Sequence, residues 1–127
     1  RLVTELFRRA IELPPVDEWS GDLPEIADDE YQRVYRRFGT LPFNDYSECF
    51  NPLVVPPEEP VVADLADDLA DVWRDVKAGL LLFRSGNRPT AAWQWRFLFE
   101  AHWAHHASAA IYALQSWFSA NVDALER

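Results

Sequence analysis

The sequence predicts an all-α protein: a bundle of about four helices, with the two long C-terminal helices in an αα-hairpin and a Pro-rich ordered segment packed across it. Three observations lead there. Apolar residues recur at helical spacing in separate stretches of the chain. Proline and glycine punctuate the intervals between those stretches. Finally, the stretch from Trp93 to Phe118 is apolar on nearly every side, yet it holds four of the six tryptophans and all three histidines. A helix apolar all round is buried in a protein centre or at a subunit contact.

Leu2, Leu6, Phe7, Ala10, Ile11 and Leu13 mark a first helix that Pro14–Pro15 ends. Residues 14–27 form a connection rich in proline and acid. Asp28 or Asp29 caps a short second helix, with Tyr31, Val34, Tyr35 and Phe38 on one face and Gly39 as its stop. Residues 40–59 contain Pro42, Pro52, Pro56 and Pro57, which forbid a continuous helix. Phe43, Tyr46, Phe50, Leu53 and Val55 make that segment too apolar for a solvated linker, so it is expected to wrap irregularly across the helices.

Pro60 fits the first turn of a long helix running to about Ser85. Leu65, Leu69, Val72, Trp73, Val76, Leu80 and Phe83 form its apolar stripe, and Asp64, Asp68, Asp71 and Asp75 form a second stripe on the opposite side. Gly86–Asn87 supplies a left-handed stop and Pro89 restarts a helix to about Ala120. The whole reads as one helical domain, residues 1–127. The chain lacks methionine and opens in mid-pattern with RLVTELF, so part of the native N-terminus is expected to precede it.

Twelve basic against 21 acidic residues give a net charge of −9. That excess argues against nucleic acid or an anionic membrane surface as the main partner. Arg8–Arg9 and Arg33, Arg36 and Arg37 read as helix-surface ion-pair partners. No run approaches the ~20 apolar residues of a membrane span. The one cysteine, Cys49, excludes an internal disulfide and fits a reducing cytoplasm. Its neighbour Glu48 disfavours a thiolate, so Cys49 reads as a small, semi-buried apolar residue.

Two constellations carry possible chemistry. His102 and His106 are four residues apart, hence stacked on one helix face, and such a pair can hold one metal ion in a helical bundle. Counted back from the hairpin, they lie level with Asp68 and Asp71. Imidazole plus carboxylate suits zinc, iron or manganese. The competing reading leaves the histidines at a core border and the aspartates on a solvated surface. Arg96 and Glu100 form the second constellation, an i, i+4 pair on the flank of Trp103. Asp71 or Asp75 is a further partner for Arg96, in an ion-pair network or an anion pocket. The acids of the long helix also suit a magnesium-dependent pyrophosphohydrolase, but such enzymes draw glutamates from at least two helices. No nucleophile elbow, phosphate loop or dinucleotide fingerprint is present.

The segments DDLADVWRDVKAGLLLFRSG (Asp67–Gly86) and TAAWQWRFLFEAHWAHHASAAIYALQS (Thr90–Ser116) resemble a bacterial family of unknown function, the one numbered 5063. YSECFNPLVVPPEEPVVADLADD is similar in layout. The resemblance implies an all-helical cytoplasmic bacterial protein and brings no activity with it. HWAHH is also similar to a histidine-bearing segment of metal-binding bundles related to DinB, but this chain has no further histidine on an earlier helix to complete that set. The sequence thus leads to a non-enzymatic binding or protein-interaction module, self-associating through its aromatic final helix and needing no cofactor. Its alternative is a protein binding a divalent metal, or a metal-dependent hydrolase, through His102, His106, Asp68 and Asp71.

Overall fold

A computed structural model describes residues 1–16 and 23–125 of the chain. The middle of the connection at residues 14–27 lies outside the described residues. In order come helices α1 (Leu2–Ile11) and α2 (Asp28–Arg37), strands β1 (Asp45–Glu48) and β2 (Val61–Asp64), and helices α3 (Leu65–Arg84), α4 (Arg88–Leu98), α5 (Ala104–Ala120) and α6 (Val122–Leu125). The fold is an all-α bundle with one small antiparallel ribbon. Helix α3 packs against α2, α4 and α5, and α1 lies across α4 and α5.

Helix α1 turns Val3, Leu6, Phe7 and buried Ala10 towards Val72, Trp103 and Ala107. Its outer face is tied by Arg8 and Arg9 to Glu5, at 2.8 and 2.9 Å, and by Arg8 to Glu12 at 2.7 Å. The two guanidiniums hold the Glu5 carboxyl down to about 2. This ladder is exposed, so it contributes little stability.

Four local expectations are corrected. Pro60 does not open the long helix, because Val61, Val62 and Ala63 pair with β1 in the register Asp45↔Asp64 to Glu48↔Val61. Successive Val61 and Val62 favour a strand. Asp64 then caps α3, its Oδ1 accepting from the Asp67 N–H at 3.0 Å. Gly39 is not a left-handed stop: it sits in a 3₁₀ turn, Phe38–Thr40, while Gly86 takes φ +91°. Third, residues 99–103 form a π turn between α4 and α5, where an unbroken helix was expected. Fourth, the Pro-rich segment packs across the helices as expected but is not irregular throughout and is covered only over its first half, since β1 forms at Asp45–Glu48. Phe43 stacks on Trp117 at 6.4 Å and β1 carries Tyr46 onto α3, but Leu53 is 88% and Phe50 65% exposed.

The seam between α3 and the C-terminal helices is made of small residues. Ala78 and Gly79 are buried on one side and Ala91, Ala107, Ala110 and Ala113 on the other, while Ala66 and Ala70 are buried on the opposite face of α3. Small side chains let helix axes approach closely. At Gly79 the approach leaves no room for a side chain: a Cβ there would clash with the Trp95 indole, whose Nε1–H donates to the Val76 carbonyl at 2.9 Å. Gly79→Ala therefore trades a helix-propensity gain of about 1 kcal/mol against overpacking. A net loss of about 1–3 kcal/mol is expected in urea denaturation. An unchanged or higher midpoint would show that Trp95 moves aside freely.

Asp64 gives a second stability test. Burial favours its neutral acid, but bonds from the Tyr35 hydroxyl (2.6 Å) and backbone amides outweigh burial and lower its pKa from the ordinary 3.8. A lowered carboxyl stabilises the fold above the unfolded pKa, and the contribution is lost as pH falls through the folded one. Asp64→Ala should cost about 1 kcal/mol at neutral pH. The difference from the parent protein should shrink as the pH falls below 3.8. Acid-titrated unfolding curves that stay equally spaced would contradict this account.

Candidate metal centre between α3 and α5

Asp68, Asp71, Asp75, Ala78 and Leu82 are spaced alternately three and four residues apart, and all five are buried. That spacing is one helix stripe. The aspartates, at 4%, 7% and 7% exposure, thus lie in the seam facing the C-terminal helices and not on a solvated surface. Helix α3 has neighbours on several sides, so its apolar stripe and its acid stripe are both covered.

The histidines come from α5 and the π turn before it. His102 Nδ1 lies 2.6 Å from Asp75 Oδ2, and His106 Nδ1 lies 2.7 Å from Asp68 Oδ1. A carboxylate accepts and does not donate, which assigns the proton to Nδ1 in both rings. The two Nε2 atoms then face each other at 3.2 Å, and His106 Nε2 lies 3.3 Å from Asp71 Oδ2. Two imidazole lone pairs at that distance need something positive between them. The bond to Asp68 raises the His106 pKa, against burial, so in the metal-free protein a proton can fill that place.

Three tyrosines hold the carboxylates. Tyr31 on α2 donates to Asp67 Oδ1 and Asp71 Oδ1, each at 3.1 Å; Tyr35 donates to Asp64, and Tyr46 of β1 to Asp68 Oδ2. Burial and the adjacent carboxylates push the Tyr31 and Tyr46 hydroxyls up, so both stay protonated donors. Arg74 binds Asp71 Oδ1 at 2.7 Å and stacks over the Tyr31 ring at 4.6 Å. Asp71 Oδ1 is thereby occupied, and Oδ2 is the oxygen directed at the histidines. Burial raises the Asp75 carboxyl although His102 opposes the shift, and burial with the charge of Asp71 raises Asp67.

Asp71, His102 and His106 each bring one ligand atom within 4.8 Å of the other two. Around a tetrahedral ion with bonds of ~2.0–2.1 Å, ligand atoms stand roughly 3.3 Å apart. The two separations from His106 Nε2, 3.2 and 3.3 Å, match, and the third, between Asp71 and His102, lies within 4.8 Å. Each histidine also gives its other ring N–H to a carboxylate, the arrangement that orients imidazole ligands and raises their basicity. Asp68 and Asp75, one of them expected as a ligand, are placed as orienting groups in this arrangement. Asp67, Asp68 and His106 form a second, overlapping set that competes for the same ring.

The expected network of Arg96, Glu100, Asp71, Asp75 and Trp103 is not one cluster. Arg96 donates to the Leu13 carbonyl at 2.8 Å and meets Glu100 at 3.3 Å, tying α4 to the chain after α1. Trp103 is 2% exposed in the core, in edge contact with Phe99 at 4.8 Å. Asp71 and Asp75 go to the histidines instead. A π turn inserts extra backbone into the helix and rotates every later residue about the axis, so regular spacing misassigns the faces on either side of it. Sequence reasoning also missed Tyr31, Tyr46 and the pair His105–Glu48, 2.6 Å apart. Tyr31 and Tyr35, four apart on α2, were a usable signal. Nothing in the local sequence marked the other two.

The class is thus an all-helical protein with a histidine–carboxylate cluster locked between two helices. Residues 2–119 match the family described as "Domain of unknown function (DUF5063)". The chain belongs to the DUF5063 family. No curated protein and no solved structure matches it. Among the described residues no helix is long and apolar enough to cross a membrane.

Proposed function

We propose that this is a metal-binding protein that holds one divalent ion, best suited to zinc, through His102 Nε2, His106 Nε2 and Asp71 Oδ2. The observation that carries the reading is the convergence of these three atoms within 4.8 Å of one another, with His106 Nε2 at tetrahedral spacing from both of the others and both Nδ1 atoms already engaged by Asp68 and Asp75. Three protein ligands leave a fourth position open, as in catalytic zinc sites and unlike closed structural ones. Water in that position would have its pKa lowered to about 7, which is what a hydrolytic role needs. A reducing cytoplasmic setting is consistent with the single cysteine, Cys49, which is exposed and not semi-buried as expected.

Elemental analysis of protein stripped with chelator, reloaded and dialysed tests the site. About one zinc, iron or manganese ion per chain is expected, falling to near zero in His102→Ala and His106→Ala. A parent protein that retains no metal overturns the reading.

The exposure of Tyr112 and Phe118 on α5 supports a second reading, an interaction module that self-associates through its final helix. Sedimentation should then give a dimer mass, and a strict monomer would remove it. The two roles are compatible.

A further inference from the structure

The histidine pair forms part of the floor of a cleft of about 460 Å³. His102 and His106 line it and Asp71 does not, so the imidazole side of the cluster faces the opening and Asp71 lies behind. The fourth position of an ion held there opens into this space. One wall is apolar and comes from the ribbon and its apex: Phe50, Val61, Val62 and Ala63. The other is acidic, with Asp64, Asp67 and Asp68 from the start of α3, and Glu48 of β1 paired with His105 at 2.6 Å.

Among the described residues no lysine or arginine lines the cleft. Its carboxylates are satisfied by tyrosine hydroxyls, amides and imidazoles, which bond them without supplying a fixed positive charge. A divalent ion and the Arg74 guanidinium do not balance these four acids together with Asp71 and Asp75. An anionic ligand would meet uncompensated charge at short range, where little water screens it. Phosphate esters and carboxylates are thereby disfavoured. The apolar wall excludes small hydrated ions as sole occupants for a different reason, since it offers them no partners.

We infer that the cleft beside the metal takes an organic cation: a protonated amine on a compact apolar body. The ammonium lies towards Glu48 and Asp67, and the body lies against Phe50 and Val61. The Phe50 ring, already 5.4 Å from His105, adds a face suited to a cation. This deepens the metal reading and rests on it for the identity of the cleft floor.

The test uses three probes with one apolar body and different charge: benzylamine, benzyl alcohol and benzoate. Each is titrated at pH 7 into zinc-loaded protein, following the methyl resonances of Val61 and Val62. Benzylamine is expected to bind at least tenfold more tightly than benzoate, with the alcohol between them. Added salt should narrow the gap. Phe50→Ala should weaken all three, and Glu48→Gln should reduce the amine preference alone. Benzoate binding as tightly as benzylamine overturns the inference, as does a cleft that responds to none of the three. Metal content is read separately on the same samples. Zinc present without an amine preference overturns this inference and leaves the metal reading standing; a chain that takes up no zinc overturns the metal reading itself.

Discussion

Zinc at a thousandfold excess over its dissociation constant should stabilise the fold by about 4 kcal/mol, because it binds the folded chain and not the unfolded one. For a domain of this size that is a rise in Tm of roughly 15 °C. The expected size reflects the charge that α3 carries without an ion. Asp67, Asp68, Asp71 and Asp75 crowd one end of a buried seam, and Arg74 is the one guanidinium that pairs with any of them among the described residues. The ion relieves that repulsion and satisfies three ligand atoms at once. His106→Ala should abolish the response. Asp68→Asn and Asp75→Asn keep the shape and all three ligands, so they should still respond, with affinity reduced about 10–100-fold. Calorimetry with zinc and with chelator reads all of this. A Tm indifferent to zinc, or a parent-like response from His106→Ala, would sink the site.

The second large effect lies in the core. Trp103→Ala should destabilise the protein by about 3–5 kcal/mol, the cost of emptying a large aromatic site. Among the described residues Trp103 is the largest fully buried side chain, packed with Ala10, Val72 and Ala107. Phe99 meets its edge, and Phe7 of α1 meets Phe99 at 5.0 Å, so the three rings join α1 to the C-terminal helix. Trp103→Phe should cost far less. It keeps a ring, and it removes an indole N–H that is buried without a hydrogen-bond partner, itself worth about 1–3 kcal/mol of penalty. Denaturant midpoints for the two variants check this. Equal losses would mean that the indole N–H is satisfied after all.

Much of the fold was legible because helices bury stripes, and stripes leave a period. The extents of α1 and α2, the long α3 and the hairpin at Gly86 come from apolar spacing together with proline and glycine chemistry. The ribbon was not legible, since four-residue strands are too short to show a period and Pro60 points equally to a helix start. Nor was the true seam of α3. Hydrophobic spacing selected Leu69, Trp73 and Val76, which line a groove with α1, whereas Ala78 and Gly79 lie with the acid stripe on the side that meets α4 and α5. Small residues carry a weak apolar signal, and they are the ones that close helix contacts need.

The sequence alone determined that His102 and His106 share a helix face and that acids recur along α3, because both are consequences of 3.6 residues per turn. It also determined that one hairpin brings the two helices side by side. Tertiary structure decided the rest. Only the rotation of α3 in the bundle turns its acid stripe inward, and only the π turn and the tyrosine latches set which carboxylate meets which ring nitrogen. Helical periodicity is local and can be read from spacing. The rotation of one packed helix against another depends on side chains from every neighbour, and no single segment contains them.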